Sequence, residues 1–329
     1  MAERRHRIEH VNGIRLHAVE SGWDAGPDRL VLLVHGFPES WYSWRHQLDA
    51  LAEAGWWTVA IDVRGYGRSS APTAIEAYRM TQHVRDNVAL VQALGATSAV
   101  VVGHDWGAPI AWTSAWLRPD VFRGVAGLSV PFAPAGPTKP SDAFRAMGGD
   151  EEFYIEYFQQ PGRAEAEIEA DARRWLLGFY YSISGDTPSM FVGGGTVATV
   201  PHGARMCDRF TYPDDGTWPT WITADDLDVY VAEFERTGFT GGLNRYRNVD
   251  RDWEDLSVFA GRPIEVPALF VGGTKDGPTL WGAPAIERFP STLPNLHDLI
   301  ILDDCGHWTQ QERPAEVNDA LLDFLGVLR

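Results

Sequence analysis

The segment GHDWG, residues 103–107, separates an apolar run over 98–102 from a helix-like run over 108–112. This order predicts a strand, a sharp turn and a helix, with glycines where the chain must turn tightly. Such a G-x-nucleophile-x-G turn holds its middle side chain at the edge of a sheet, and here that side chain is an aspartate where serine is usual. A carboxylate is already ionised at pH 7, so Asp105 can attack carbon without first losing a proton.

The composition is that of an ordinary globular protein with a strong negative charge. The 329 residues are 44% hydrophobic and carry a formal net charge of −17. Binding to nucleic-acid phosphates needs a basic surface, and this charge balance argues against one. No stretch approaches the roughly 18 consecutive apolar residues of a membrane span, and the N-terminal residues lack the apolar region of a signal peptide. The sequence therefore predicts a cytoplasmic protein with no nucleic-acid partner and no membrane insertion.

The cysteines and the missing metal motifs limit the chemistry further. Cys207 and Cys305 are too few for a disulfide framework, which fits a reducing compartment. The sequence contains no zinc-ligand spacing, no H-E-x-x-H, no P-loop and no G-x-G-x-x-G after a strand. We therefore expect neither a metal nor an organic cofactor. Cys305 lies two residues before His307, where the two side chains rarely meet in hydrogen-bonding geometry, and we interpret it as a buried thiol.

Short apolar runs alternate with segments of helical periodicity along much of the chain. Six runs rich in Val, Leu and Ile are typical of strands buried on both faces of a parallel sheet: 30–34, 58–61, 99–102, 125–130, 268–271 and 299–302. Residues 80–94 and 314–325 place apolar side chains at helical spacing, and 7–20 predicts a hairpin around an Asn-Gly turn. The fold class is therefore α/β, with a mostly parallel central sheet flanked by helices.

The strand–helix alternation stops in the middle of the chain. Residues 132–263 are rich in proline, glycine and aromatic side chains, and they contain helical stretches and the triple glycine 193–195, which suits a lid hinge or a plain loop. We predict a mostly helical cap domain over 132–263, inserted between a first core segment, 1–131, and a second, 264–329. Functional sites commonly lie where such an insertion meets the carboxyl edge of a sheet.

A nucleophile on this kind of turn requires a general base and an acid that orients the base, in the chain order nucleophile, acid, histidine. His307 follows the last predicted strand, and Asp276 follows the strand before it. Both strands end at the edge of the sheet that carries Asp105, so we predict a triad of these three side chains. Asp303 and Asp304 are competing acids, but they are too near His307 in sequence to face its ring.

The HGFP loop after the first buried strand corresponds to an oxyanion-binding turn. The backbone N–H groups of Phe37 and Trp106 are predicted to form the oxyanion hole. His35 and His104 each lie beside a tight turn, and we expect them to tie loops together rather than to catalyse. Because they adjoin catalytic positions, Phe37, Trp106 and Trp308 are predicted to line the substrate pocket.

Four segments resemble the soluble epoxide hydrolases of the α/β-hydrolase superfamily, the bacterial members above all: residues 35–45, 62–70, 103–107 and 306–308. The resemblance covers nearly the whole chain and implies the α/β-hydrolase fold, a small apolar epoxide substrate and no cofactor. The family uses two cap tyrosines to hold the epoxide oxygen, and the local sequences match these to Tyr157 and Tyr246. Tyr154 lies nearby, and we assign it to packing.

The predicted reaction has two steps. Asp105 attacks an epoxide carbon to give an alkyl ester, while Tyr157 and Tyr246 donate hydrogen bonds and a proton to the epoxide oxygen. His307, oriented by Asp276, then removes a proton from water, and the water hydrolyses the ester. The product is a vicinal diol.

Two other functions fit parts of the pattern. A haloalkane dehalogenase would use the same aspartate and histidine, but the usual second side-chain donor to the halide is missing because Phe37 has no polar side-chain atom. A ligand sensor on this fold would have no need for an aligned base and acid. The sequence does not decide the preferred epoxide or the stereochemistry, and it leaves a homo-oligomer open.

Overall fold

An eight-stranded, mostly parallel sheet lies at the centre of the computed structural model, which describes residues 2–187, 197–214 and 217–328. The strands of this sheet are β1 (Arg4–Val11), β2 (Ile14–Ser21), β3 (Leu30–Val34), β4 (Trp57–Ile61), β5 (Ala99–His104), β6 (Phe122–Leu128), β9 (Ala268–Gly273) and β10 (Leu296–Leu302). Two further strands, β7 (Glu152–Phe153) and β8 (Thr199–Val200), pair with each other in a separate small sheet. The order across the large sheet is β1-β2-β4-β3-β5-β6-β9-β10, and only the β1–β2 and β2–β4 pairs are antiparallel.

The central strands are continuously apolar because both faces of the sheet are covered. In β3, Leu30, Leu32 and Val34 pack into one core cluster, whereas Val31 and Leu33 pack into the cluster on the opposite face. This arrangement confirms the predicted parallel α/β sheet. The run at 299–302 differs from the prediction, because β10 is an edge strand and leaves Leu299 and Ile301 exposed.

Helices supply the covering layers and the insertion. Those before β6 are α1 (Arg45–Glu53), α2 (Met80–Ala93) and α3 (Gly107–Leu117). Between β6 and β9 lie α4 (Pro140–Gly148), α5 (Tyr154–Tyr157), α6 (Arg163–Ala170), α7 (Ala172–Ser182), α8 (Ala224–Thr237), α9 (Thr240–Tyr246) and α10 (Val249–Leu256). After β9 follow α11 (Gly277–Trp281), α12 (Ala283–Ile286), α13 (Phe289–Thr292), α14 (Thr309–Glu312) and α15 (Pro314–Gly326).

The inserted helices contact the core at close range through glycine. A Cβ atom added to Gly241, in α9, would lie 2.5 Å from the carbonyl oxygen of Gly65. The two backbones therefore touch, and the amino end of α9 lies directly against the loop that follows β4. The cap boundaries at 132 and 263 stay a prediction, and the triple glycine 193–195 lies outside the described residues. Within the described ranges, no helix has the length and apolar character needed to cross a bilayer.

Candidate active site

The turn between β5 and α3 holds Asp105 in a backbone conformation that is rare for a residue with a side chain. Its φ angle is +50°. Glycine is required on both sides, because a Cβ atom on Gly103 would lie 1.9 Å from the carbonyl oxygen of Gly107, and one on Gly107 would lie 2.0 Å from that of Val34. These contacts confirm the strand, turn and helix predicted from GHDWG, with Asp105 at the carboxyl end of β5.

The structure brings the three predicted triad residues together. Nε2 of His307 lies 3.4 Å from Oδ2 of Asp105, and Nδ1 of His307 lies 2.8 Å from Oδ1 of Asp276. All three side chains are buried. Asp304, a competing acid, is exposed and instead pairs with Lys275. The chain therefore places a carboxylate, an imidazole and a second carboxylate in a line.

Two hydroxyl groups help to orient the imidazole and its acid. Oγ of Ser129 lies 3.1 Å from Nδ1 of His307, and Oγ1 of Thr279 donates to Oδ2 of Asp276 at 2.6 Å. The N–H of Thr279 also donates to Asp276, which caps the start of α11. Sequence reasoning missed both hydroxyls. Thr279 had a local signal, because an Asp three residues before a Thr is a common helix cap, but Ser129 follows β6 with no recognisable motif.

The two carboxylates keep His307 charged. Burial lowers the pKa of His307, but the hydrogen bonds and negative charges of Asp105 and Asp276 outweigh this effect and raise the pKa to about 10. At pH 7 the ring is therefore an imidazolium ion between two carboxylates. Removal of the charge on Asp105 would remove one of the two causes and lower this pKa.

The loop after β3 approaches Asp105 from the other side. The N–H of Phe37 donates to Oδ1 of Asp105 at 2.7 Å. A Cβ atom on Gly36 would lie 2.2 Å from the same carboxylate oxygen, so only glycine permits this approach. Trp106 is the N-cap residue of α3, where backbone N–H groups have no acceptor within the helix. The structure therefore shows the Phe37 N–H bound to the carboxylate, and the role of the Trp106 N–H stays a prediction.

His35 and His104 connect loops, as expected. Nε2 of His35 accepts from the N–H of Val63, while its Nδ1 lies 2.8 Å from the carbonyl oxygen of Gly36. The ring nitrogens of His104 lie 2.8 Å from Oε2 of Glu39 and 2.6 Å from the carbonyl oxygen of His307. Neither imidazole is among the side chains that line the cavity at Asp105.

The cavity at Asp105 is lined mostly by apolar side chains, with four polar side chains among them. Asp105, His307, Tyr154 and Tyr246 line it together with Phe37 and further apolar side chains. Trp106 lines an adjoining cavity that also reaches Asp105 and Tyr154.

Trp308 does not line the cavity at Asp105, which corrects the sequence prediction. It is fully buried, and its indole N–H donates to the carbonyl oxygen of Tyr180. His307 faces the cavity, and the next side chain packs into the core against aromatic rings instead.

The cap tyrosines also require a correction, because Tyr157 does not face Asp105. Its hydroxyl donates to Oε2 of Glu167 at 2.5 Å, and the guanidinium of Arg163 lies 4.0 Å from the centre of its ring. Tyr154, which we had assigned to packing, lines the cavity with Asp105 and lies edge-on to Tyr246 at 6.1 Å. The single-turn helix α5 points its two tyrosines in different directions, and Glu167 holds the second one away from the site.

Both tyrosines of the cavity are neutral acids. Burial raises the pKa of Tyr154 and of Tyr246, and the negative charge of Asp105 raises both further. A hydrogen bond with the Trp106 side chain partly offsets the shift at Tyr246. Each phenol therefore keeps its proton near neutral pH and can donate a hydrogen bond.

Comparison with known proteins agrees with this arrangement. The sheet order, the sharp turn after β5 and the helical insertion define an α/β hydrolase, and the alpha/beta hydrolase fold family matches residues 29–194. Epoxide hydrolase B of Mycobacterium tuberculosis is 47% identical over 98% of this chain and 99% of its own. The chain belongs to the epoxide hydrolases of this fold.

Solved structures support the same conclusion. An epoxide hydrolase from an endophytic Streptomyces is 58% identical, covers 99% of this chain and 96% of its own, and superposes with a TM-score of 0.94. Epoxide hydrolase A of Mycobacterium thermoresistibile is 46% identical over 98% of both chains, with a TM-score of 0.90.

Proposed function

We propose that this protein hydrolyses small apolar epoxides to vicinal diols through an ester on Asp105. The observation that carries the proposal is the line of Asp105, His307 and Asp276 beside a cavity that also holds two neutral tyrosines. A serine-type hydrolase has no task for such phenols, whereas an opening epoxide requires an acid at its oxygen.

In the first step, Oδ1 of Asp105 stays bound to the N–H of Phe37, and Oδ2 attacks an epoxide carbon. The new bond forms between Oδ2 and carbon as the carbon–oxygen bond of the epoxide breaks. Tyr154 and Tyr246 hold the departing oxygen, and one of them supplies the proton that converts the alkoxide to an alcohol. Tyr154 therefore has the role of donor to the epoxide oxygen that the sequence analysis assigns to Tyr157.

In the second step, the loss of charge on Asp105 makes His307 a better base. Esterification removes one of the two carboxylates that raise the imidazole pKa, so the ring loses its proton more readily. This proton restores the tyrosine that protonated the alkoxide and leaves His307 neutral. His307 then takes a proton from water as the water oxygen attacks Cγ of the ester. When the tetrahedral intermediate collapses, the bond between Cγ and the alkyl oxygen breaks, and the imidazolium returns its proton to the departing diol oxygen. The N–H groups of Phe37 and Trp106 receive the negative charge on Oδ1, and each such donor is typically worth about 3 kcal/mol.

A single turnover in H₂¹⁸O tests the route. Because water attacks the ester carbonyl, we expect the heavy oxygen in the carboxylate of Asp105, detected by mass spectrometry of the peptide that contains it. The diol released in that turnover should be unlabelled, since its new oxygen comes from Asp105. Label in the diol and none in Asp105 would show direct attack of water on the epoxide and would end the proposal.

A panel of epoxides and haloalkanes separates the remaining functions. We expect diol from epoxides and no halide from haloalkanes, because Phe37 supplies no side-chain donor to a departing halide. Halide release would instead favour a dehalogenase. Saturable binding with neither product would favour a sensor.

The location of the protein is also part of the proposal. Cys207 and Cys305 are both free thiols, which supports a reducing compartment such as the cytoplasm.

Across the described residues, no group of three His, Cys, Asp or Glu side chains is placed to hold a metal ion.

A further inference from the structure

Glu312, the last residue of α14, has a carboxylate enclosed by backbone N–H groups. Its Oε2 accepts from the N–H of Gly185 at 2.8 Å and of Gly306 at 2.9 Å, and its Oε1 accepts from the N–H of Trp308 at 3.0 Å. Three backbone donors on one carboxylate form a charge-assisted set, which is stronger than the same number of neutral hydrogen bonds.

The donors belong to two segments that meet at the site. Gly306 and Trp308 flank His307, while Gly185 follows α7 in the inserted region. The N–H of His307 itself donates to the carbonyl oxygen of Ile183 at 2.9 Å. Glu312 therefore joins both neighbours of the imidazole-bearing residue to the end of α7.

The two segments lie backbone against backbone. A Cβ atom on Gly306 would lie 2.2 Å from the backbone nitrogen of Gly185, and one on Gly185 would lie 2.2 Å from the carbonyl oxygen of Asp304. Ile183, one hydrogen bond away from His307, also lines the cavity at Asp105. A shift of this junction would move the imidazole relative to Asp105 and Asp276.

We propose that Glu312 is a positioning residue that holds His307 where it can activate water during ester hydrolysis. The inference rests on the proposed role of His307 as the base. Glu312 touches no reacting atom, so it acts through the loop alone. Formation of the ester requires Asp105 and the tyrosines but no base, and therefore depends on Glu312 less than its hydrolysis does.

The pKa of Glu312 sets the conditions for a test. Burial raises this pKa to about 7, although the three N–H groups oppose the shift. The negative charge of Asp186 adds to the increase. Assays well above pH 7 therefore keep the carboxylate ionised in the unmodified protein.

The test is Glu312→Gln, followed by separate measurement of ester formation and ester hydrolysis in rapid-quench experiments with intact-protein mass spectrometry. Glutamine keeps the size but turns an NH₂ group toward a backbone N–H. We expect ester hydrolysis to slow by roughly 10- to 100-fold, because small misplacements of catalytic groups lower rates by such factors. The rate of ester formation should stay unchanged. Ester-bound protein should accumulate.

Glu316→Gln is the matched control. Glu316 lies one turn further on and pairs with Arg313 near the surface, so its loss should leave both rates unchanged. If Glu312→Gln does not fold, Glu312→Asp keeps the charge and shortens the reach, and it should slow hydrolysis alone.

Three outcomes would overturn the inference in distinguishable ways. Native hydrolysis in Glu312→Gln, together with ester accumulation in His307→Gln, would refute only the role of Glu312. Equal slowing of both steps would show a general structural effect instead. A His307→Gln variant that accumulates no ester would show that the nucleophile or the base is wrong, and it would overturn both proposals.

Discussion

His307→Gln is expected to leave the protein trapped as an ester on Asp105 after exposure to an epoxide. The amide cannot take a proton from water, whereas Asp105 and the cavity tyrosines remain in place to form the ester. We expect turnover to fall by about 10²- to 10⁴-fold, the range typical of a lost general base. Intact-protein mass spectrometry should find nearly all of the chain heavier by one substrate mass.

The control for this experiment is His202→Gln. His202 lies in the inserted region with an exposed side chain, and the same substitution there should leave turnover unchanged and the protein unmodified. If His307→Gln stays unmodified throughout, either the nucleophile or the base is wrong. The ¹⁸O experiment then decides which one.

Tyr154→Phe combined with Tyr246→Phe is expected to lower the rate of ester formation by at least about 10²-fold. Each phenylalanine keeps the aromatic ring and removes one of the two hydroxyls that donate to the epoxide oxygen. The rate of ester formation in a rapid-quench experiment is the measurement, because later steps do not involve that oxygen.

Tyr157→Phe supplies the contrast that makes the correction testable. This hydroxyl donates to Glu167, so its removal should leave ester formation unchanged and lower the free energy of unfolding by about 1 kcal/mol, measured by denaturant unfolding. A large loss of ester formation in Tyr157→Phe, with none in Tyr154→Phe, would restore the original assignment.

The sequence predicted those features that depend on the backbone. The glycines around Asp105 and the runs of β-branched residues determine a strand, a turn and a parallel sheet locally. Because strand ends share one edge of the sheet, the order of Asp105, Asp276 and His307 was enough to bring them together. The exposed face of β10 was not predictable, since an edge position depends on which strand comes last across the sheet.

Side-chain direction in the inserted region could not be predicted in the same way. Tyr154 and Tyr157 share one helical turn and similar neighbours, and what separates them is Glu167, a partner from the next helix. Glu312 has no recognisable sequence signal either, because its carboxylate meets its backbone N–H donors only once Gly185 has folded against the loop of His307. Contacts of this kind follow from how helices pack, which periodicity alone does not determine.

The contact between Gly241 and Gly65 has a consequence for altering substrate scope. Since these backbones touch without intervening side chains, main-chain contact docks the amino end of α9, while Tyr246 at its other end packs against Phe37, Trp106 and Phe158. Cavity residues on other parts of the insertion, such as Phe179 and Met206, can then be exchanged for smaller ones to admit larger epoxides. Tyr246, the proton donor at the carboxyl end of α9, would keep its position while the cavity around it is enlarged.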